Sequence, residues 1–238
     1  MIVIPMAGLS SRFFNAGYVL PKYMLDAHGQ TLFAHAVNSF SLYFDTHFFL
    51  FIVRDLYDTE YFVQKECNKL GIKNYQIIVL YNNTNGQADT VRLGLKAANI
   101  LNQSITIFNI DTFRPGFIFP DFIENCDGYL EVFKGQGDNW SFVKAIDNSQ
   151  RVIETAEKKP ISNLCSTGLY YFKSSDNFMC AFEKESKKDS SELCNGEIYV
   201  APMYNDLIKN NKDIRYHLIH DNEVIFCGVP EEYENFKK

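Results

Sequence analysis

The first polar loop of this chain combines residue types that can hold phosphate groups. The apolar run "IVIPM" is followed by four small residues that would leave backbone N–H groups open to an anion: Ala7, Gly8, Ser10 and Ser11. Arg12 offers a planar fork for two phosphate oxygens, and Lys22 offers a compact charge that can follow a migrating phosphoryl group. The spacing is neither GxGxxG nor GxxxxGKS. Taken alone, the loop is more typical of an ordinary strand-to-helix turn with two solvated cations.

A second polar segment, "NNTNGQADT", has residues suited to a nucleotide base. Gln87 carries both a donor and an acceptor for the edge of a base, and Gly86 would let a flat ring approach the backbone. Asn85 and Ala88 flank these two residues and complete the candidate set. Taken alone, the segment is better explained as a polar turn before a helix, with Asp89 in the first helical turn, where an acid suits the helix dipole.

Two carboxylates are candidate metal ligands. Asp111 follows the apolar run "SITIFNI", where an unpaired carboxylate would be costly. Mg²⁺ shared with phosphate oxygens would explain it, and so would a turn or cap hydrogen bond. Glu197, in "NGEIYVAPMYNDLI", is either a helix cap or a second carboxylate for the same ion.

A third segment, "TAEKKP", is charged and contains Glu157, Lys158 and Lys159. These residues fit a hairpin turn with solvated charges, and they fit equally well a site that presents cations to a second phosphorylated substrate. The five histidines have neither HxH nor HExxH spacing. The six scattered cysteines favour reduced, buried residues over a zinc site or disulfides.

The elements that must position these residues follow an α/β pattern. Apolar runs ("IVIPM", "HFFLFIV", "YQIIVLY", "SITIFNI") alternate with helical patterns ("TLFAHAVNSFSLYF", "DTEYFVQKECNKLG", "ADTVRLGLKAANIL"). This alternation predicts a mainly parallel sheet covered on both faces. Ligands of such sheets bind beyond the carboxyl ends of the strands, where both polar segments and Asp111 are expected.

After Asp111 the pattern changes to shorter strands separated by turns. "GYLEVF", "WSFVKAI", "VIETA" and "TGLYYF" predict a smaller antiparallel sub-region, followed by helices around 174–187 and 197–210. "RYHLIH" and "VIFCGV" are late strands, and "PEEYENFKK" is a closing helix with Pro230 in its first turn. We expect one domain over residues 1–238.

The composition excludes several classes of protein. A net charge of −6 and a pI near 5.4 argue against a general nucleic-acid binder. The sequence has neither a membrane-spanning apolar run nor a signal peptide, so we expect a cytoplasmic protein that does not bind membranes.

Taken in order, the motifs resemble the sugar-phosphate nucleotidyltransferase family. The matching stretches are "MAGLSSRF" with "PKYML", "NGQADT", "NIDTF", "EKKP" before "STGLYYF", "GEIYVAPMYN" and "GVPEEYENF". The resemblance implies a three-layer, Rossmann-like fold of the GT-A type, with a nucleotide-binding half (1–111) and an acceptor-binding half (112–238). It also implies a reaction in which an acceptor phosphate attacks the α-phosphorus of an NTP and pyrophosphate leaves.

The resemblance also implies roles for individual residues. Arg12 and Lys22 would hold the triphosphate as catalytic residues, and Gly8 with Gln87 would contact the base. Asp111 and Glu197 would bind Mg²⁺. The acceptor would be bound by four residues, with either lysine holding its phosphate: Glu157, Lys158, Lys159 and Gly168.

The sequence departs from the family pattern at two places, and it is more similar to one group of enzymes within the family. The family reads G-x-G-[ST]-R where this chain has Ser10 in place of the second glycine, which predicts a slightly different loop path. The usual late aspartate has no clean match. The short length and "GEIYVAPMYN" are similar to small cytidylyltransferases of bacterial surface-polymer pathways, which implies CTP as the donor, and the loop 15–21 would close over it.

Two other functions compete with nucleotidyl transfer. A nucleotide-sugar glycosyltransferase would need a DxD at the end of the fourth strand, and "NIDTF" has one aspartate. A nucleotide-binding regulatory subunit would not need Arg12, Lys22 and Asp111 together.

Overall fold

The structure is a computed structural model that describes residues 1–146 and 149–238. The strands are β1 (Ile2–Met6), β2 (Asp26–Ala27), β3 (Gln30–Thr31), β4 (Phe49–Arg54), β5 (Tyr75–Leu80), β6 (Ile105–Phe108), β7 (Thr112–Phe113), β8 (Gly128–Lys134), β9 (Ser141–Ala145), β10 (Val152–Glu157), β11 (Leu164–Phe172), β12 (Ile214–Leu218) and β13 (Ile225–Phe226). The helices are α1 (Ser11–Asn15), α2 (Leu32–Asn38), α3 (Thr59–Leu70), α4 (Gln87–Ala97), α5 (Ser175–Glu185), α6 (Tyr204–Lys209) and α7 (Pro230–Lys237).

The chain divides into two compact units. The N-terminal unit comprises Ile2–Asn83, Phe108–Ile118 and Asn222–Lys238. The central unit comprises Met1, Thr84–Ile107 and Phe119–Asp221.

In the N-terminal unit, β1, β4 and β5 form parallel pairs in the order β1–β4–β5. The residues of β1 are all buried, as are the first five of β4, which explains their continuous apolar sequence. α3 ends where Gly71 adopts φ +77°, so the predicted stop at this glycine is confirmed. Because the three strands are parallel, their carboxyl ends lie at one edge of the sheet. The loop after β1, Arg54 at the end of β4 and Asn83 after β5 therefore lie at this edge.

The C-terminal helix α7 packs within the same unit and begins at Pro230, as predicted. The Tyr18 hydroxyl donates to the Glu234 carboxylate at 2.5 Å, and the Tyr233 hydroxyl donates to the carbonyl of Asp26 at 2.7 Å. These bonds fix α7 against the polypeptide that follows α1.

In the central unit, the sheet contains mostly antiparallel pairs. β10, β9, β11 and β6 follow one another, and β8 lies between β11 and β12. The pairs of β10 with β9 and of β11 with β8 and β9 are antiparallel, whereas β12 is parallel to β8. The predicted α/β class, with parallel strands and a smaller antiparallel sub-region, is therefore confirmed. Within the described residues, no helix is both long and apolar enough to span a bilayer.

Two predicted elements were wrong in extent. β6 ends at Phe108, before Asp111, so the aspartate lies in a turn rather than at the strand end. The helix expected around 197–210 is reduced to α6, preceded by a 3₁₀ turn at Ala201–Met203. The reason is that the N–H and carbonyl groups of Ile198 are bonded to Asn85 and Ala88, at 2.8 and 3.0 Å, and are unavailable for a helix.

Candidate active site

Ser10 adopts the backbone conformation that glycine favours. Its φ and ψ are 52° and 29°, and it precedes α1 as the N-cap. A left-handed conformation costs a non-glycine residue about 1–2 kcal/mol. The Ser10 hydroxyl also accepts a hydrogen bond from the backbone N–H of Lys22 at 3.2 Å. The serine thus ties the small-residue loop to the segment that bears Lys22.

Lys22 and Asp111 form an ion pair in the N-terminal unit. The ammonium of Lys22 contacts the Asp111 carboxylate, and their side chains are 21% and 23% exposed. The structure therefore brings together a lysine and an aspartate that are far apart in sequence. Arg12 is exposed, and its guanidinium has no hydrogen bond or ion pair with the described residues. Its donors are available to a ligand, as are the exposed backbone at Gly8 and the exposed Ser11.

The surroundings of Asp111 place it close to α7. The N–H of Cys227 donates to the carbonyl of Asp111 at 2.8 Å, and a Cβ at Gly228 would lie 3.2 Å from its Oδ2. The Glu232 carboxylate accepts from the N–H of Gly228 at 2.8 Å. Burial, followed by the charges of Glu232 and Asp111, raises the pKa of the Cys227 thiol to about 12. Cys227 therefore stays protonated and is not a nucleophile at neutral pH.

Asp111 has the chemistry of a single magnesium ligand. Across the described residues, no group of three or more His, Cys, Asp or Glu side chains is placed to hold a metal. Mg²⁺ does not need such a group, because it is commonly held by one or two carboxylates and by substrate phosphates. A partly exposed carboxylate beside a lysine fits this arrangement. Glu197, the other candidate ligand, lies in the central unit.

Gly86 is required by close backbone packing. Its φ is +101°, and a Cβ there would lie 2.7 Å from the carbonyl oxygen of Ile198. Ile198 thus occupies the side of Gly86 on which a side chain would stand. The free approach to Gly86 expected for a flat ring is limited to its other side.

Replacing Gly86 by alanine should lower the free energy of unfolding by about 2–4 kcal/mol, from left-handed strain and overpacking together. Gly137→Ala is the matched control, because Gly137 has φ +99° but no atom lies within 4 Å of the position that a Cβ would take. It should cost only the strain, about 1–2 kcal/mol. Urea unfolding of both variants measures the difference, and equal losses would contradict the packing role of Gly86.

The neighbours of Gly86 have defined places. Gln87, half-buried, is the first residue of α4, and Asn85 is exposed. Ala88 is fully buried, and its N–H is already bonded to Ile198. Asp89 accepts from the N–H of Asn85 at 3.0 Å, as expected of an acid in the first helical turn.

The two lysines that follow β10 differ in their contacts. Lys158 has φ 52°, and its ammonium donates to the Tyr199 hydroxyl at 2.9 Å. Burial and the nearby Glu197 carboxylate raise the pKa of Tyr199, although the bond from Lys158 lowers it. Burial alone would lower the pKa of Lys158, but the bond to Tyr199 and nearby negative charge raise it overall. Lys159 is exposed and has no bond to the described residues, so it is the freer cation.

A cavity of about 200 Å³ lies next to this segment in the central unit. Its charged lining consists of Glu157, Glu185, Glu192, Glu197, Lys159 and Lys188. Burial raises the pKa of Glu157, although the Ser141 hydroxyl donates to its carboxylate. Gly168 is buried at a bulge of β11, with φ +90°. Its N–H donates to the Ser166 hydroxyl at 3.1 Å.

Sequence reasoning missed one residue in each unit, Tyr199 in the central unit and Arg54 in the N-terminal unit. Tyr199 accepts a hydrogen bond from Lys158, and its signal was its position two residues after Glu197 in an extended segment. Arg54 ends β4 at the same edge as the small-residue loop. Its only signal was a cation that ends an apolar run.

Comparisons with known proteins define the class of the molecule. The sequence matches no protein-family model and no curated protein. It matches solved structures, including the inositol-1-phosphate CTP transferase from T. maritima, with 14% identity over 99% of this chain and 92% of that chain and a TM-score of 0.74. UTP-bound UGPase from Acinetobacter baumannii has 14% identity over 99% and 90% of the chains and a TM-score of 0.72. The fold is thus that of Rossmann-like nucleotidyltransferases.

A further structure gives the family. The nucleoside-diphosphate-sugar pyrophosphorylase from Vibrio cholerae RC9 is 57% identical over 99% of both chains, with a TM-score of 0.95. The chain belongs to the sugar-phosphate nucleotidyltransferase family, and the resemblance found in its motifs is confirmed.

Proposed function

We propose that this nucleotidyltransferase is a Mg²⁺-dependent cytidylyltransferase. The acceptor phosphate attacks the α-phosphorus of CTP, a new P–O bond forms, and the bond to the β-phosphate breaks to release pyrophosphate. The proposed acceptor is phosphoglutamine, which gives CDP-L-glutamine for capsule modification. The observation that carries the proposal is the ion pair of Lys22 and Asp111, next to a small-residue loop with the unpaired Arg12.

The chain's own residues would act by positioning and by neutralising charge, as phosphoryl transfer requires. Arg12 would bind triphosphate oxygens through its fork, and Lys22 would follow the charge that develops on the leaving pyrophosphate. Asp111 would hold the ion, which supplies Lewis-acid polarisation of the phosphates when bound. No covalent enzyme intermediate is needed, in agreement with the protonated thiol of Cys227.

The charged residues that line the cavity of the central unit support an acceptor that carries both a positive and a negative charge. Four of its six charged residues are glutamates, and one of these, Glu185, is paired with Lys188 at 2.7 Å. The ammonium group of an amino acid would be favoured by the remaining carboxylates, and its phosphate by Lys159. Phosphoglutamine carries both groups, as does the alternative acceptor phosphocholine.

A sugar 1-phosphate is the second candidate acceptor. It is favoured by the 57% identical relative, which is described as a nucleoside-diphosphate-sugar pyrophosphorylase. A regulatory subunit that binds nucleotide without turnover is the non-enzymatic alternative.

A pyrophosphate-release screen tests these functions. Purified protein with Mg²⁺ is incubated with each NTP and with phosphoglutamine, phosphocholine and sugar 1-phosphates in turn. Release with CTP and phosphoglutamine supports the proposal, and release only with a sugar 1-phosphate replaces the acceptor. If no pair of substrates releases pyrophosphate, nucleotide binding without catalysis becomes the better function.

A further inference from the structure

Arg54 occupies the middle of the strand edge that the candidate nucleotide site uses. In the parallel pairs of the N-terminal unit, Met6 lies opposite Val53, and Arg54 lies opposite Leu80. Arg54 therefore stands between the loop that follows β1 and Asn83, three residues beyond the end of β5. It is half-buried, whereas Asn83 is exposed.

The contact between the two side chains fixes the direction of their hydrogen bonds. Nη1 of Arg54 donates to Oδ1 of Asn83 at 2.8 Å. A guanidinium can only donate, so the amide oxygen of Asn83 faces Arg54 and its NH₂ group points away. The Nε atom of Arg54 is buried and has no hydrogen-bond partner among the described residues. The Nη2 atom does not share this combination of burial and a missing partner. The amide oxygen of Asn83 is thus engaged by Arg54, and the amide NH₂ of Asn83 is left as a donor for a ligand at this edge.

We propose that Arg54, together with Asn83, is a specificity-determining residue that reads the base of the nucleotide donor. Cytosine presents two adjacent acceptors, O2 and N3, and these match a pair of donors. Uracil carries a hydrogen on N3, so a donor placed there would meet another donor. The inference rests on the proposed cytidylyl transfer, and it names the residues that would select cytosine over uracil.

A role in binding the triphosphate is less consistent with the contacts. Arg12 and Lys22 already supply two cations at the loop after β1, and Lys22 contacts the carboxylate proposed to hold the metal. Arg54 reaches in the other direction, toward the residue that follows β5. Its fork geometry, rather than its charge alone, should therefore matter.

The test compares CTP with UTP in three variants. Arg54→Gln removes the charge and the fork, Arg54→Lys keeps the charge, and Asn83→Asp keeps the acceptor for Arg54 but removes the amide donor. Arg151→Gln is the control, because Arg151 is an exposed arginine of the central unit. The readouts are kcat/KM for CTP and UTP, equilibrium binding of CMP and UMP, and Tm as a check of folding.

We expect each Arg54 variant, the lysine variant included, to reduce the preference for CTP over UTP by about 10- to 100-fold, the range of a bidentate base contact. Asn83→Asp should reduce it in the same direction without lowering Tm, and Arg151→Gln should leave it unchanged. The same variants should bind CMP more weakly than the wild type does, and their affinity for UMP should fall less. This binding test needs no turnover, so it separates the inference from the proposed function.

Three results would overturn the inference. The first is an equal loss of kcat/KM for CTP and for UTP in Arg54→Gln, which would mean that Arg54 binds the triphosphate or stabilises the fold. Another is full rescue by Arg54→Lys, and the third is a wild-type protein that does not prefer CMP to UMP. If the wild type prefers CMP but releases no pyrophosphate with any acceptor, the proposed function fails and the assignment of Arg54 is retained.

Discussion

Replacing Lys22 by alanine should lower kcat by about 10²–10³-fold, the usual cost of removing a charge-stabilising donor from an active site. The affinity for nucleotide should fall much less, because Arg12 and the loop backbone would still hold the triphosphate. In the structure the ammonium of Lys22 contacts Asp111 and is largely shielded from solvent, so it is held in place before substrate binds. Steady-state kinetics and equilibrium binding of CTP measure the two effects separately.

The control for this variant is Lys184→Ala. Lys184 is also paired with an aspartate, Asp206 at 2.8 Å, but its side chain is 57% exposed. Exposed pairs contribute about 0–1 kcal/mol, so this change should affect neither kcat nor binding. Equal losses of turnover and of affinity in Lys22→Ala would remove the catalytic role assigned to Lys22 and would favour simple nucleotide binding.

The regular elements near Lys22 could be predicted because local patterns determine them. Continuous apolar runs predicted β1, β4 and β5, and a glycine after a helical pattern predicted the end of α3 at Gly71. These features depend on residues that are neighbours in sequence. The pairing of Lys22 with Asp111 spans 89 residues. The expected parallel order of the strands predicted that the first loop and Asp111 lie at the same edge of the sheet, but it did not predict their ion pair.

The errors came from contacts that no local pattern records. The helix predicted from 197 fails because Ile198 bonds to Asn85 and Ala88 across more than 100 residues of sequence. The same contact explains why position 86 is a glycine, because a side chain there would collide with the backbone of Ile198. The sequence suggested a turn and a base site for this segment but could not reveal its partner.

Lys158 and Lys159 illustrate the same limit at a charged segment. They are adjacent and identical in type, so sequence reasoning could not divide their roles. The left-handed backbone of Lys158 and its bond to Tyr199, 41 residues later, separate them. Arg54 was missed because a single arginine after an apolar run has no motif, and its meaning depends on Asn83, 29 residues away.

Replacing Asp111 by asparagine should lower Mg²⁺-dependent kcat by about 10³-fold, since a metal acting on phosphates contributes several kcal/mol to the transition state. The substitution keeps the shape of the side chain and removes its charge. Asp121→Asn is the control, because Asp121 is exposed in the central unit. Activity as a function of Mg²⁺ concentration measures the effect, and an unchanged Asp111→Asn variant would rule out Asp111 as the ligand.

A metal role must be separated from a role in holding Lys22, since the two side chains are in contact. If Asp111 acted only through Lys22, the double variant would have the same activity as Lys22→Ala alone. The Mg²⁺ concentration needed for half-maximal activity would also not change in Asp111→Asn. If Asp111 binds the ion, that concentration rises in Asp111→Asn but not in Lys22→Ala. The double variant should then lose more activity than either single variant, because two different interactions with the phosphates have been removed.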